Sequence, residues 1–350
     1  MWQRFIKEKD LPFSVKILSF FLRGKDKIYR SQLAEAVQAY EQQSSGYMEA
    51  AMNNLHAWKK TSRPTHSTCN IFVSTNDSLT EARIQTKRQG EPQAVVNFAN
   101  AYDVGGVFQY RRGSQEEDIA RRTNWSFTIH EEHLKDSRHY SSNMSRLINA
   151  EEGRVYFNPT PLTLIRDSDG KLLKPHHDQG KIFSFYELRV AADDLRRRIF
   201  GIPIPFFPRS FNKESMQKKI YAQLDTLIEN NQKNIILGAF GCGAFRNPPN
   251  KVAHLYHEIL SEKKYKYFFK NIVFAIKGNG SDANFKAFKK ELGNWDNTVG
   301  SYNPMMQIMP SHLEMLTESK SQVLHQNVFE QQGKRKSFSL EERPSTLSIS

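Results

Sequence analysis

Two adjacent carboxylates, Glu116 and Glu117, follow a glycine turn at Gly105-Gly106, with seven residues between Val107 and Gln115. Just ahead of the turn, the β-branched run Val95-Val96 stops at Asn97. Together these residues meet three needs of a nucleotide-handling site: a strand that ends at a polar edge, a glycine turn whose backbone N–H groups can approach a phosphate, and carboxylates at a helix start. Paired acids at a helix start are also ordinary, because they complement the helix dipole with no functional role. The neighbouring glycines favour chemistry.

A second segment has the same logic. Ile235-Ile236-Leu237-Gly238 reads as a short buried strand, and it runs into Gly241-Cys242-Gly243-Ala244-Phe245-Arg246-Asn247, then Pro248-Pro249. Asn250 is placed to cap a helix patterned on Val252, Ala253, Tyr256, Ile259 and Leu260. Strand, glycine loop and helix in that order present backbone amides to an anion, although an ordinary βα turn would use glycines too. A dinucleotide fingerprint fits poorly: Arg246 stands at the third glycine position, and the next strand, Ile272 to Ile276, ends in Lys277 instead of an acid. No Gly-Lys-Ser/Thr follows the glycines, so a Walker loop is excluded as well.

The elements that must position these loops alternate along the chain. Strands are expected at Ile71 to Val73, Val95-Val96, Arg154 to Phe157, Leu162 to Ile165, Ile182 to Phe185, Ile235 to Leu237 and Ile272 to Ile276. Helices are expected at Ser78 to Arg88, Glu116 to Asn124, Lys213 to Glu229 and Lys251 to Glu262. Such alternation predicts an α/β fold with a mixed or mostly parallel sheet covered on both faces. Residues 1–65 read as a helical extension packed on the core, 66–300 as the α/β domain, and 301–350 as a largely disordered tail rich in Gln, Glu, Ser and Lys. The apolar stretch Leu11 to Leu22, interrupted by Lys16, is too short to span a bilayer and reads as a packed amphipathic helix.

The 350 residues carry a formal charge of +13, which suits an anionic partner. Basic runs such as Lys263-Lys264 and Arg196-Arg197-Arg198 are short and scattered, so nucleic acid is not specifically indicated. Only two cysteines, Cys69 and Cys242, are present, which fits a reducing compartment and a cytoplasmic location; a translocated effector is the alternative. Cys242 invites a nucleophile reading, but a small residue filling a turn is the better account. The pairs His130/His133 and His254/His257 and the run His176-His177-Asp178 lack zinc-site spacing, so neither a metal nor another cofactor is expected.

The two motifs together resemble the signature of the microbial-type poly(ADP-ribose) glycohydrolases, a branch of the macrodomain superfamily. Gly105-Gly106-Val107 followed by Gln115-Glu116-Glu117 resembles the family's glycine run ahead of Gln-Glu-Glu, and Val95 to Ala101 resembles its asparagine-containing strand end. Leu237 to Ala253 resembles its second phosphate-binding loop, and Asp77-Ser78-Leu79 its early Asp-Thr-Leu. The likeness spans about residues 70–295. It implies a three-layer α/β/α macrodomain that binds ADP-ribose at the strand ends and hydrolyses ADP-ribosyl linkages, in poly(ADP-ribose) or on mono-ADP-ribosylated protein. By position, Glu117 would be the general acid/base. Glu116 and Asn97 would hold the distal ribose, with Asn100, Gln115 and Asp77 also lining the site. Gly105, Gly106, Val107 and Phe108, with Gly241, Cys242, Gly243 and Ala244, would wrap the diphosphate, and Phe245 would pack over the distal ribose. A carboxylic acid that protonates the leaving oxygen lowers the barrier of an oxocarbenium-like transition state, and Glu116 and the substrate phosphates would raise the pKa of Glu117 to that end.

The chain departs from the family pattern at three places. Val107 replaces a third glycine, Asn100 stands where the bacterial enzymes usually carry a small residue, and Tyr186 to Leu195 is unlike the family. Asp193 and Asp194 in that segment are candidates for recognising a cationic acceptor, with salt bridges to Arg196 to Arg198 as the plainer alternative. A non-catalytic ADP-ribose reader, or a basic nucleic-acid-binding protein with a similar core, are the competing functions.

Overall fold

The computed structural model describes residues 23–62, 69–106, 114–136, 138–199, 202–204 and 209–295. The amphipathic segment at Leu11 to Leu22, the tail at 301–350, and Val107 and Phe108 lie outside the described residues.

A six-stranded sheet carries the fold. Its strands are β1 (Asn70–Ser74), β2 (Ala94–Phe98), β3 (Tyr156–Thr163), β4 (Ser184–Val190), β7 (Asn234–Leu237) and β8 (Asn271–Ala275), in the order β1-β8-β7-β2-β4-β3. All neighbours pair in parallel except β3, which runs antiparallel to β4 at one edge. A separate antiparallel hairpin joins β5 (Arg197–Ile199) to β6 (Ile202–Ile204).

Alternation along the strands divides the interior into two layers, because successive side chains point to opposite faces. Val95, Ile236 and Val273 enter one core with Leu79, Ile119 and Trp125. Ala94, Val96, Ile235, Leu237, Ile272 and Phe274 enter the other with Leu224, Val252, Tyr256 and Phe288. The first layer is covered by α1 (Arg23–Thr61), α2 (Ser78–Gln89) and α3 (Gln115–Arg122), with the short α4 (Ser142–Ile148) beside it. The second is covered by α5 (Lys213–Glu229), α6 (Pro249–Leu260), α7 (Lys263–Phe268) and α8 (Ala283–Leu292). The predicted α/β/α arrangement with a mixed, mostly parallel sheet is therefore found.

Helix α1 is fastened to the first layer by side chains. The Tyr47 hydroxyl donates to the Leu173 carbonyl at 2.5 Å, Asn124 donates to the Tyr40 hydroxyl at 3.0 Å, and Glu35 pairs with Arg166 at 2.6 Å.

Three boundaries differ from the sequence expectation. The strand expected at Ile182 to Phe185 is instead β4, which runs on to Val190. The strands expected on either side of Pro159 and Pro161 form one element, β3, with an irregularity between Asn158 and Leu162; proline is tolerated there because the strand is at an edge. Helix α6 starts with Pro249 in its first turn and Pro248 as N-cap, ahead of the Asn250 cap expected, since proline lacks only an N–H that the first turn leaves unused.

Candidate active site

Strands β2 and β7 are parallel neighbours, and both glycine loops leave from their carboxyl ends. Open α/β sheets bind ligands at that edge. The first loop begins with Ala99, whose N–H donates to the Val190 carbonyl at 2.9 Å. Asn100 then folds the chain back on itself: its Oδ1 accepts from the N–H groups of Tyr102 (2.8 Å) and Asp103 (3.0 Å). Gly105 and Gly106 follow at φ of 66° and 61°, a region that glycine enters without penalty.

Helix α3 brings the acids to this loop. Ser114 and Glu117 form a capping box, in which Glu117 Oε2 accepts from both the Ser114 N–H and its hydroxyl. Glu116 Oε2 accepts from the Asn100 N–H at 2.8 Å. A Cβ on Gly106 would lie 2.7 Å from Glu117 Oε1 and 2.9 Å from Glu116 Oε2, so both carboxylates rest against one glycine. Gln115 staples helix start to strand end: its Nε2 donates to the Val96 carbonyl (2.8 Å) and the Ser78 hydroxyl (2.7 Å), and its Oε1 accepts from the Phe98 N–H (2.9 Å).

Glu116 is 3% exposed, and its Oε1 is buried without a hydrogen-bond partner. Burial, then repulsion from Glu117, hold its pKa well above the ordinary carboxylate range; the Asn100 N–H and Arg189 oppose this and lose. The shift at Glu116 comes first from burial, which the sequence does not display.

Beneath the carboxylates lies a buried polar cluster. Arg189 and Glu187, both 0% exposed, pair along β4 at 2.8 Å. Glu187 also accepts from the Asn97 amide (2.6 Å) and the Trp125 indole (3.0 Å). The Arg189 guanidinium packs 5.0 Å from the Trp125 ring centre and 4.9 Å from that of Tyr156.

In the second loop, Gly238 has no room for a side chain, since a Cβ would meet the Ala275 carbonyl at 2.9 Å and the Phe98 ring at 3.0 Å. Gly241, at φ 71°, is closed in by Ala192 and Asn247, whereas a Cβ on Gly243 would meet nothing within 4 Å. The Asn247 amide donates to the Asp193 carbonyl (2.8 Å) and the Gly241 carbonyl (3.1 Å), clasping the loop to the chain beyond β4. Burial pushes the Cys242 thiol up to about 12, which suits a turn filler and not a nucleophile.

The expected site residues thus occupy different positions. Gly105, Gly106, Asn100, Glu116 and Glu117 gather at the β2 edge, and Gly241 to Phe245 stand at the adjoining β7 edge. Asn97 is wholly buried, with its amide committed to Glu187. Asp77 caps α2 through the N–H groups of Leu79 and Thr80 and pairs with Arg122 at 3.1 Å. Burial pushes the Asp77 pKa up, but Arg122 and the Thr80 bonds outweigh it and hold it below the ordinary value. Asp194 chelates Arg196, with both contacts at 2.7 Å, and that guanidinium sits 5.0 Å from the Phe245 ring centre. Asp193 lies 3.6 Å from Lys219. Sequence reasoning missed Ser114, although its spacing from Glu117 is a capping-box signature. It also gave no role to Arg122, Glu187, Arg189 and Asn247, whose partners Asp77, Asn97, Trp125 and Asp193 are distant in sequence.

Among the described residues, no group of three or more His, Cys, Asp or Glu side chains is arranged to hold a metal ion. None of their helices is long and apolar enough to cross a membrane.

Fold and site together define an α/β protein in which two glycine loops leave the carboxyl edge of a mostly parallel sheet and the first of them packs on a buried carboxylate pair. The resemblance to the microbial-type poly(ADP-ribose) glycohydrolases holds: residues 20–159 match the family model described as microbial-type PARG, catalytic domain. That match includes the first glycine loop and both acids and ends before the second loop. The fold is similar to the crystal structure of poly(ADP-ribose) glycohydrolase from Thermomonospora curvata, with a TM-score of 0.52 at 20% identity over 76% of this chain and 100% of that one. A mutant of the same enzyme gives 0.53 at 20% identity, over 76% and 100% of the two chains. Its complex with the inhibitor ADP-HPD gives 0.50 at 20% identity, over 75% and 99%. No curated protein matches the sequence.

Proposed function

We propose that the protein is a glycohydrolase that binds ADP-ribose at the β2–β7 edge and cleaves ADP-ribosyl linkages, with poly(ADP-ribose) as the first substrate to test. The observation that carries this is the convergence of Glu116 and Glu117 on Gly106. The inhibitor-bound Thermomonospora enzyme of similar fold and the family match at residues 20–159 support the choice of substrate class.

Glu117 acts as general acid/base. It protonates the leaving oxygen as the bond to the anomeric carbon breaks, then takes a proton from the water that adds to that carbon, so its own proton is restored. Its capping box fixes the carboxylate before substrate arrives. Glu116, whose burial favours the protonated carboxyl, donates a hydrogen bond to a ribose hydroxyl. The Gly105-Gly106 turn and the loop around Gly243 receive the diphosphate through backbone N–H groups. Asn97 holds the strand end through Glu187, and Asn100 holds Glu116.

One observation favours a non-catalytic reader: the capping box gives Glu117 a structural role that needs no chemistry. E117Q separates the two, because glutamine serves the same cap. Wild type is expected to release free ADP-ribose from poly(ADP-ribose), and E117Q to fold normally, bind ADP-ribose and lose about 10²-fold or more in rate. Equal rates would favour another acid, and no release by either, with tight binding, the reader. Mono-ADP-ribosylated protein assayed in parallel distinguishes chain from single-unit cleavage.

A further inference from the structure

Neither Glu187 nor Arg189 takes part in the chemical steps above, yet they form the most deeply buried ion pair described. A buried pair of this kind gains little stability over apolar residues of similar volume, so its presence calls for another account. Its position supplies one. Asn97 is the register partner of Arg189 across the β2–β4 ladder, and its amide ends on Glu187 at 2.6 Å. Three residues on, the Asn100 N–H holds Glu116, while the intervening Phe98 N–H holds Gln115. The pair therefore lies at the root of the segment that grips the acids. Arg189 Nη1 and Glu116 Oε1 are both buried without a hydrogen-bond partner.

We propose that Glu187 and Arg189 are positioning residues for Glu116: their charges are matched so that the guanidinium does not draw the proton from the neighbouring carboxyl. The groups that act on Glu116 are Glu117 on its own helix, Arg189 and Glu187 from β4, and the Asn100 N–H from the first loop; the buried Tyr140 phenol interacts with Arg189, Glu187 and Glu116 itself. Arg189 alone would favour the carboxylate and Glu187 alone the acid. Unmatching the pair in opposite senses must then move Glu116 in opposite directions, which a merely structural pair would not do.

This inference rests on the proposed role of Glu116, so its test reads the carboxyl directly. The full chain is labelled with δ-¹³C glutamate, and the Glu116 signal is identified by its loss in E116Q. Its titration midpoint is followed in wild type, E187Q, R189M and the double variant, with the pH profile of ADP-ribose release alongside. E187Q is expected to lower the midpoint by on the order of one pH unit, R189M to raise it, and the double variant to return it towards wild type. If R189M does not fold, E187Q and R189K decide: the first shifted down, the second close to wild type. A natively folded E187Q with an unmoved midpoint, or single variants shifted the same way, would overturn the proposal. Absence of ADP-ribose release with midpoints moving as expected would sink the glycohydrolase function alone.

Discussion

Replacing Gly106 by alanine tests the carboxylate site most directly. Its backbone sits at φ 61°, where an L-residue costs about 1–2 kcal/mol. The new Cβ would lie 2.7 Å from Glu117 Oε1 and 2.9 Å from Glu116 Oε2, both inside contact distance. Relief requires moving carboxylates that are fixed by the Ser114 cap and the Asn100 N–H, so some hydrogen bonding is lost as well. The backbone term alone corresponds to a Tm lowered by roughly 2–8 °C, at about 2–4 °C per kcal/mol for a domain of this size, and the clash adds to it. Catalysis suffers far more, since a misplacement on the order of 1 Å costs about 10²-fold in rate. Calorimetry beside ADP-ribose release from poly(ADP-ribose) measures both. A variant that loses those degrees but keeps the wild-type rate would refute the placement of chemistry at Gly106.

G243A is the counterpart: a Cβ there meets nothing within 4 Å, so Tm is expected to stay within about 1 °C while ADP-ribose binding by calorimetry weakens if that loop receives the diphosphate. For Glu116, the raised pKa means that ionisation opposes folding. Its contribution is intact below the usual carboxylate range and erodes as pH rises towards the shifted value. E116Q is therefore expected to raise Tm at pH 8 and to change it little at pH 4, in thermal melts across that range. Asp77 has the opposite sign: its depressed pKa gives stability that is present at neutral pH and lost as pH falls below the ordinary carboxylate range. D77N should thus lower denaturant midpoints at pH 7 but leave them closer to wild type at pH 2.5.

The strands that hold the two glycine loops were legible because Val95-Val96, Ile235 to Leu237 and Ile272 to Ile276 are unbroken apolar runs, as strands covered on both faces demand. Strand β4 was cut short because Glu187 and Arg189 interrupt such a run, and nothing local shows that each buries the charge of the other. The glycine loops and acids were legible as a motif, and their convergence was not. The family resemblance implied a ribose-binding role for Asn97, whereas the pleat turns its side chain inward to Glu187. Asp194 was assigned two candidate roles, and the chelated Arg196 is the plainer of them.

The staple made by Gln115 has a consequence for how this protein could change over time. Its three hydrogen bonds fix the start of α3 against β2 and α2 without using any residue between 107 and 113. The seat of Glu116 and Glu117 on the sheet is thereby set by a residue of their own helix. Loss of Gln115 would release the helix start from β2 and α2 at once. A change at position 115 is therefore felt at both acids even where neither acid is altered.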